Sequence, residues 1–385
     1  MKAIINAKIV FHDSISEGAI LIEDGKIVAV GDIYVPKDAE IIDAKGLYVG
    51  PGLIDQHVHG YADLDTRIGI IDDVKGMALM HLKRGTTSIT PSPSYKYNKE
   101  EFISIIEQCN KAIEEGTTNV IGIHFEGPYR NPIRGASAKV NWDYNDEDAN
   151  DIFAAAKGNV LHCTYAPEIP GAEKLEAVMQ KYGVVGDIGH TNASPDDVYR
   201  AVKNGAKIVT HLFDAMGCYR DNPTAVTGDP QDCVSDIVLS IPDLYYELIC
   251  DSRCLHVTAV SQRQALKNAG EDHIILISDC VASTNAANPL DFPPEDDRSA
   301  TDLNFVNNEL SGSRLTLSVC AKNFKKTTGA DIRVVFKCAA TNPAKAIGIY
   351  DKVGSITAGK DANFVFVDED FNVKEIYFKG EKVNT

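Results

Sequence analysis

Pro51-Gly52-Leu53-Ile54-Asp55-Gln56-His57-Val58-His59-Gly60 is the stretch on which the reading of this chain turns. An apolar run leaves a Gly-Pro-Gly turn and ends in two histidines separated by one residue. Side chains two apart on a β-strand share a face, so His57 and His59 project together from one strand end, as a divalent metal ion requires. Two histidines packed in a loop would be spelled the same way. The choice between these readings depends on what recurs downstream.

Working outward, apolar strand-like runs alternate with helix-like ones, the pattern of a parallel β/α architecture. The strand candidates are Leu53–His59, Thr86–Thr90, Val120–Glu126, Val160–Ala166, Val184–His190, Lys207–His211, Tyr246–Cys250 and Ile274–Asp279. Helix-like runs between them include Asp73–Arg84, Lys99–Glu115, Glu173–Tyr182, Pro195–Asn204 and Ala259–Asn268. Ser194 before Pro195 is a capped helix start. The count predicts an α/β fold, a (β/α)8 TIM-like barrel over residues 51–345. Residues 1–50 read as short strands (Lys2–Ile9, Ala19–Glu23, Lys26–Val30, Glu40–Asp43), with Asp24-Gly25 as a hairpin turn. The tail, 346–385, reads alike, with Gly354–Ile356, Asn363–Val367 and Val373–Phe378 as strands. Neither end can bury much core alone, so the two are expected to combine into one small β-sandwich domain. The polar, proline-bearing segment 286–310 reads as a loop after the eighth strand.

Metal-capable residues close five of the barrel runs: His57 and His59, then Glu126, His190, His211 and Asp279. In a β/α barrel the C-terminal strand ends converge on one site, so five coincidences in the same phase carry weight. Neutral imidazoles and carboxylates suit zinc, and the sets for iron and manganese overlap with it. A bound cation lowers the pKa of water to about 7, and Asp279 is placed to shuttle the proton. Asp279 as a helix N-cap is the structural alternative. His124, two before Glu126, reads as packing or as support for the ligands, and His12, His81, His162 and His273 as ordinary surface or core histidines.

Composition sets limits on the rest. The 385 residues are 44% hydrophobic and 24% charged, and 38 Lys+Arg against 55 Asp+Glu give a net charge of −17. That field argues against nucleic acid, although a few local arginines can hold an anionic small-molecule substrate. The nine cysteines show no C-x-x-C spacing, which fits a reducing compartment. No signal-peptide pattern and no membrane-length apolar run stand in the sequence. A cytoplasmic location and no membrane partner are therefore expected.

On these residues the chain resembles the amidohydrolase superfamily. Val49–Gly60 is similar to its opening signature, and Asn342–Gly348 with Val353–Ile356 and Gly359–Asn363 to its closing one. Within it, His124-Phe125-Glu126-Gly127-Pro128-Tyr129, Gly189–Ala193, Thr210–Met216 and Leu310–Ser313 resemble the N-acetylglucosamine-6-phosphate deacetylases. The resemblance implies Glu126, His190 and His211 as metal ligands, Asp279 as general acid/base, and removal of an acetyl group from an N-acetylated amino sugar, with N-acetylglucosamine 6-phosphate foremost. Some members bind a second metal through an H-x-H pair, so His57 and His59 imply one or two ions bridged by Glu126. It further implies a homodimer, and substrate contacts at Ala136, Asp214, Ala215, Arg220, His256, Leu310, Ser311 and Gly312.

The substrate side departs from the family pattern. Asp214 stands where an Asn donates to the sugar phosphate, and Ser137 where a His is usual. Arg220-Asp221-Asn222-Pro223 is a displaced substitute for Arg-Glu-Pro-Gly, and the Asp251-to-His256 spacing is longer than usual. Arg130, Arg134, Arg220 and Arg253 can rebuild an anion site. These departures keep alternatives open: an N-acetylgalactosamine phosphate, an N-acyl amino acid or a cyclic amide as substrate. A rival of another class is a scaffold that has lost its chemistry, against which every ligand position is filled.

Overall fold

From Leu53 onward, eight parallel strands alternate with helices and close into a ring. In a computed structural model, which describes residues 1–93, 98–135, 141–217, 232–282, 302–306 and 309–385, the barrel strands are Leu53–Val58, Thr86–Pro91, Ile123–Glu126, Val160–Tyr165, Val185–Ile188, Ala206–Val209, Tyr245–Ile249 and Ile274–Ile277. The third to eighth pair in sequence order, the first pairs with the second, and Ile89 bridges Val120 between the second and third. Closure comes from a Val58–Cys280 bridge and from the Asp279 N–H, which donates to the His57 carbonyl at 3.0 Å. Each strand is followed by a helix: Ile71–Leu82, Lys99–Glu115, Asp146–Ala155, Ala172–Tyr182, Pro195–Lys203, Val234–Leu239, Ala259–Ala269 and Leu317–Thr328. This is the expected (β/α)8 barrel, with strand and helix ends within a few residues of those read from the sequence.

Local chemistry explains the boundaries. The helix Lys99–Glu115 starts where the Asn98 side chain accepts from the Glu101 N–H and stops at Gly116, whose φ of 62° suits glycine. Ser194 and Asp197 form a reciprocal capping box at Pro195–Lys203. In the first barrel strand every residue is buried, as a strand covered on both faces requires. Its pairing with the second strand slips between Asp55 and Val58, so three steps on one strand match two on the other. Such a bulge re-aims side chains. It lets Gln56 and His57, neighbours that a regular strand sends to opposite faces, reach the same carboxylate on Glu247.

Strands from both ends of the chain form one eight-stranded sheet. Its order runs Glu381–Lys382, Val373–Phe378, Phe364–Val367, Tyr48–Pro51, Lys2–Val10, Ile15–Glu23 and Lys26–Gly31, with Glu40–Asp43 added alongside Lys2–Val10. Ile4, Ile20, Ile22, Phe364, Phe366 and Tyr377 pack together as its own core. Tyr48–Pro51 leads through Gly52 into the first barrel strand. A Cβ on Gly52 would stand 2.0 Å from the Thr87 hydroxyl, so the crossing into the barrel demands glycine.

Two local expectations fail. Gly354–Ile356 is not a strand: Gly354, at φ 85°, turns the chain against Ala344, and Ile356 is buried in the sheet's core without joining a ladder. Segment 286–310 is not wholly a loop, because Leu303–Val306 pairs antiparallel with Glu309–Ser313. Residues 283–301 lie outside those described. Among the described residues no helix is long and apolar enough to cross a membrane.

An ion cluster clamps the helix Ile332–Phe336 to the turn before the eighth strand. Arg333 grips Glu271 with two hydrogen bonds of 2.7 and 2.8 Å, and Lys337 adds a third at 2.7 Å. The Arg333 bonds, against the opposing effect of burial, hold the Glu271 carboxyl down to about 2. A carboxyl depressed in the folded state stabilises fully above its unfolded pKa and loses that contribution as pH falls through the folded value. Glu271 is about one-third exposed, so screening holds the effect to about 1 kcal/mol. Glu271→Gln should therefore be less stable than wild type at pH 7, with the gap closing between pH 5 and 2. Urea unfolding at pH 7 and pH 3.5 measures it, and a pH-independent gap would remove the ion cluster as its cause.

Candidate metal centre and active site

The residues that end the first, third, fifth, sixth and eighth strands meet at one end of the barrel. Glu126 Oε1 lies 2.7 Å from His190 Nε2 and 3.5 Å from His211 Nε2, and the two imidazole nitrogens are 3.0 Å apart. On the other side of Glu126, its Oε2 is 3.3 Å from His59 Nε2, and its Oε1 is 3.7 Å from His57 Nε2. Asp279 Oδ1 completes that side at 3.3 Å from His59 and 3.6 Å from His57. Two groups, Glu126/His190/His211 and His57/His59/Asp279, therefore each have all their donor atoms within 4.8 Å of one another. Glu126 stands between them. Glu126, His190, His59 and Asp279 keep 6–7% of their surface accessible, so the site opens to a mouth.

All four imidazoles are set in the same sense. Nδ1 of His57 faces Glu247 Oε2 (3.2 Å), that of His59 the Ser92 carbonyl (2.7 Å), that of His190 the Arg134 carbonyl (3.1 Å) and that of His211 the Asp214 carbonyl (3.2 Å). An acceptor opposite Nδ1 places the proton there and leaves the lone pair on Nε2. Every Nε2 thus points inward. Gly135 is needed behind His190: at φ 89°, a Cβ there would come within 2.6 Å of the imidazole Nδ1.

The electrostatics follow from two buried carboxylates among these rings. Burial opposes the charged form of His59, yet hydrogen bonds to Asp279 and Glu126 carry it up to about 10. His211 likewise rises against burial, to about 9, through its bond to Glu126 and the charge of Asp214. His57 is raised too, by Asp279 and Glu247 against burial. His190 falls to about 4 because burial and the Arg130 charge outweigh Glu126. Against burial, Glu126 is held well below the usual carboxylate range by His190, and Asp279 is lowered by the charge of His57. The pocket as a whole favours positive charge at its centre.

The backbone bends to make this arrangement. His190, His211 and Asp279 have φ of 48°, 28° and 44°, in the left-handed region that ordinary residues avoid. Strain of this kind persists where the surroundings over-determine it. Here Glu168 fastens the neighbouring loops, accepting from Asn131 Nδ2 (2.7 Å), the Asn192 N–H (2.6 Å) and the Thr191 hydroxyl (2.5 Å).

The substrate-side expectations divide. Asp251 accepts from the N–H groups of Arg253, Leu255 and His256 and from the His256 ring, organising the long turn. His256 Nε2 then stands 3.2 Å from the Gly312 carbonyl, and Gly312 packs against Asp279. Leu310 and Ser311 belong to the hairpin strand that carries Gly312 to this spot. Asp214 and Ala215 lie in the turn after His211, and their carbonyls accept from His211 Nδ1 and from the Thr191 N–H. Ala136 and Arg220 lie outside the described residues.

Sequence reasoning missed the polar layer just inside the ring. His162 is a core histidine, as expected, but with partners the sequence did not indicate: its Nδ1 meets Asp187 Oδ2 at 2.5 Å, and it stacks on His124 with centroids 4.2 Å apart and rings 9° from parallel. His124 also bonds Ser92 Oγ (2.8 Å) and Thr164 Oγ1 (3.0 Å). Parallel stacked imidazoles direct their lone pairs into separate planes, so this trio suits hydrogen bonding rather than a shared ion. Glu247 was missed altogether. The available signal was a carboxylate within an apolar strand, Tyr245-Tyr246-Glu247-Leu248-Ile249, and Asp187 gives the same signal in Val185-Gly186-Asp187-Ile188.

Known proteins share this fold and are similar to this chain along most of its length. N-acetylglucosamine-6-phosphate deacetylase of Lysinibacillus sphaericus is 27% identical over 363 residues, covering 91% of this chain and 89% of that protein. The Danio rerio protein of the same name is 25% identical, covering 98% and 96%. In three dimensions, the Pasteurella multocida N-acetylglucosamine-6-phosphate deacetylase superposes with a TM-score of 0.85 at 24% identity over the whole of both chains. A mutant Mycobacterium smegmatis deacetylase solved with N-acetyl-D-glucosamine-6-phosphate gives 0.84 at 23% identity, covering 100% and 99%. The Amidohydrolase family profile matches residues 48–383. With that span running from the strand before the barrel to the last strand of the sheet, the chain belongs to the amidohydrolase family.

Proposed function

We propose that this protein is a cation-dependent hydrolase that removes the acetyl group from N-acetylglucosamine 6-phosphate. The observation that carries the reading is the convergence of four inward-facing imidazole Nε2 atoms on Glu126 and Asp279, in a chain similar along its length to proteins with that activity in their names. The donor set fits a divalent cation. Among the described residues His57 Nε2 is buried without a hydrogen-bond partner, and His190 and His211 bring two ring nitrogens to 3.0 Å, where two bare lone pairs would repel. Glu126, His190 and His211 would hold one ion. His57, His59 and Asp279 would hold a second, with Glu126 between them. Imidazole and carboxylate donors suit zinc among the first-row ions, and iron and manganese share the same donors. When bound, the cation acidifies water and polarises a carbonyl.

The chain's own groups supply the rest. Asp279 takes the proton from the attacking water as the C–O bond forms, then delivers it to the sugar nitrogen as the C–N bond breaks, leaving acetate and a free amine. His256, held by Asp251 against the Gly312 carbonyl, faces the substrate beside Asp279. Arg134, whose Nε donates to Asn192 Oδ1, and Arg253, in the Asp251–His256 turn, are the candidate partners for an anionic group, and a cytoplasmic homodimer is the expected working form.

A second reading has one specific observation in its favour. Asp214, in the turn after His211, is a carboxylate where a phosphate donor is expected, which favours the same chemistry on an uncharged or amino-acid substrate. Assay of N-acetylglucosamine 6-phosphate, its galactosamine isomer, both unphosphorylated sugars and N-acyl amino acids separates the two. The phosphorylated glucosamine compound should give the highest kcat/KM, and turnover confined to N-acyl amino acids would exclude the sugar reading. Separately, Asp279→Asn should keep the cation of Glu126, His190 and His211 and lose about 10²- to 10⁴-fold in kcat, measured by acetate release beside metal analysis. Near-wild-type turnover in that variant would take Asp279 out of the mechanism.

A further inference from the structure

Glu247 is the residue that neither the strand-end pattern nor the proposed chemistry uses, and its surroundings are unusual. It sits in the middle of the seventh strand, Tyr245–Ile249, with no accessible surface. A carboxylate in a barrel interior is unfavourable unless it is closely hydrogen-bonded. Oε1 accepts from Gln56 Nε2 at 2.7 Å, and Oε2 faces His57 Nδ1 at 3.2 Å and the His211 N–H at 3.3 Å. The first strand's bulge brings Gln56 and His57 to it together, across a ring in which strands one and seven are not neighbours.

This contact singles out one imidazole of the four. His59, His190 and His211 rest Nδ1 on backbone carbonyls, whereas His57 alone rests it on a formal negative charge. A carboxylate behind an imidazole fixes the ring's tautomer and orientation and makes the opposite nitrogen a stronger donor. That opposite nitrogen, His57 Nε2, is buried without a hydrogen-bond partner among the described residues and lies 3.6 Å from Asp279 Oδ1. We infer that Glu247 is a positioning residue that makes the His57/His59/Asp279 pocket a cation site in its own right, separately from the Glu126/His190/His211 pocket. The inference rests on the two-cation reading above.

Glu247→Gln is the sharper test, because it keeps the shape. The amide oxygen can still accept from His57 Nδ1, and Gln56 can turn its own amide to accept from the new NH2 group, so the variant removes the negative charge behind His57 and leaves the packing in place. Glu247→Ala removes both contacts, and thermal melting of each variant reports whether it folds. The probe is Co2+ added to metal-stripped full-length protein, followed by its visible absorption and by equilibrium dialysis with metal analysis. Wild type should take up two equivalents. In Glu247→Gln the first should bind as in wild type and the second about 10- to 100-fold more weakly. His57→Ala should lose the same equivalent. Two equivalents of unchanged affinity in Glu247→Gln would overturn the inference and leave the two-cation reading standing. Equal weakening of both would also overturn it, making Glu247 a general support of the barrel. A wild type that binds one equivalent, unaffected by His57→Ala, would overturn the two-cation reading itself and the inference with it.

Discussion

Two carboxylates held nearly buried among four imidazoles create a demand for positive charge that the rest of the structure is arranged to meet. Glu126 and Asp279 come from strands three and eight, and the rings from strands one, five and six. In a low-dielectric pocket, like charges at these distances would drive the strand ends apart. The rises in His57, His59 and His211 show the same demand in the protein's own protons. A divalent cation would meet it with fewer particles, and would compete with those protons as pH falls. Closing the ring is what makes this concentration of charge tenable. The N–H of Asp279 donates to the carbonyl of His57, so the first and last barrel strands are joined at the residues that face each other across the centre.

Geometry of this kind has a conformational cost. Three strand-end residues, His190, His211 and Asp279, adopt left-handed backbone, each at roughly 1–3 kcal/mol. Local sequence does not favour these states, and tertiary contacts have to impose them. Glu168 binds the loops after strands three and five together. The Thr191–Met216 bridge joins those after strands five and six. Gly312 sits so close to Asp279 that a Cβ would lie 2.8 Å from the Asp279 carbonyl. The loops here are therefore structural parts of the site, since each fixes the direction of a strand-end side chain.

The architecture was legible in the sequence because its signal is periodic and repeated. Eight apolar runs separated by helix-length segments leave few alternatives, and Lys99–Glu115, Glu40–Asp43 and Val373–Phe378 begin and end where the sequence places them. The metal-capable residues were legible for a related reason: position at a C-terminal strand end is itself a one-dimensional feature. What could not be read depends on three-dimensional exceptions to a regular pattern. Alternation places His57 and His59 on one face but gives no hint of the bulge that swings Gln56 beside His57. Gly354–Ile356 has strand-like residues, yet the positive φ at Gly354 turns it into a corner. The 302–313 hairpin was hidden by a polar, proline-bearing neighbourhood that reads as loop.

The same distinction explains why the polar interior was overlooked. A histidine or carboxylate inside an apolar strand reads as an isolated exception when strands are taken singly, whereas a closed barrel stacks such exceptions on one another. His124, His162 and Asp187 come from strands three, four and five and form one layer, with His57 edge-on to His124 at 4.4 Å. Burial lifts Asp55, in the same interior, to about 7 despite the N–H groups of Ser278 and His57, and holds Asp187 up despite His162. Replacing buried ionic groups with well-packed apolar residues of similar volume is often neutral or stabilising. Here its members touch the rings of the active end through His57, and through Ser92, which bonds His124 and accepts from His59. The interior thus reads as the foundation that fixes the first-strand histidines. Their precision depends on hydrogen bonds beneath them as much as on the carboxylates that face them across the pocket.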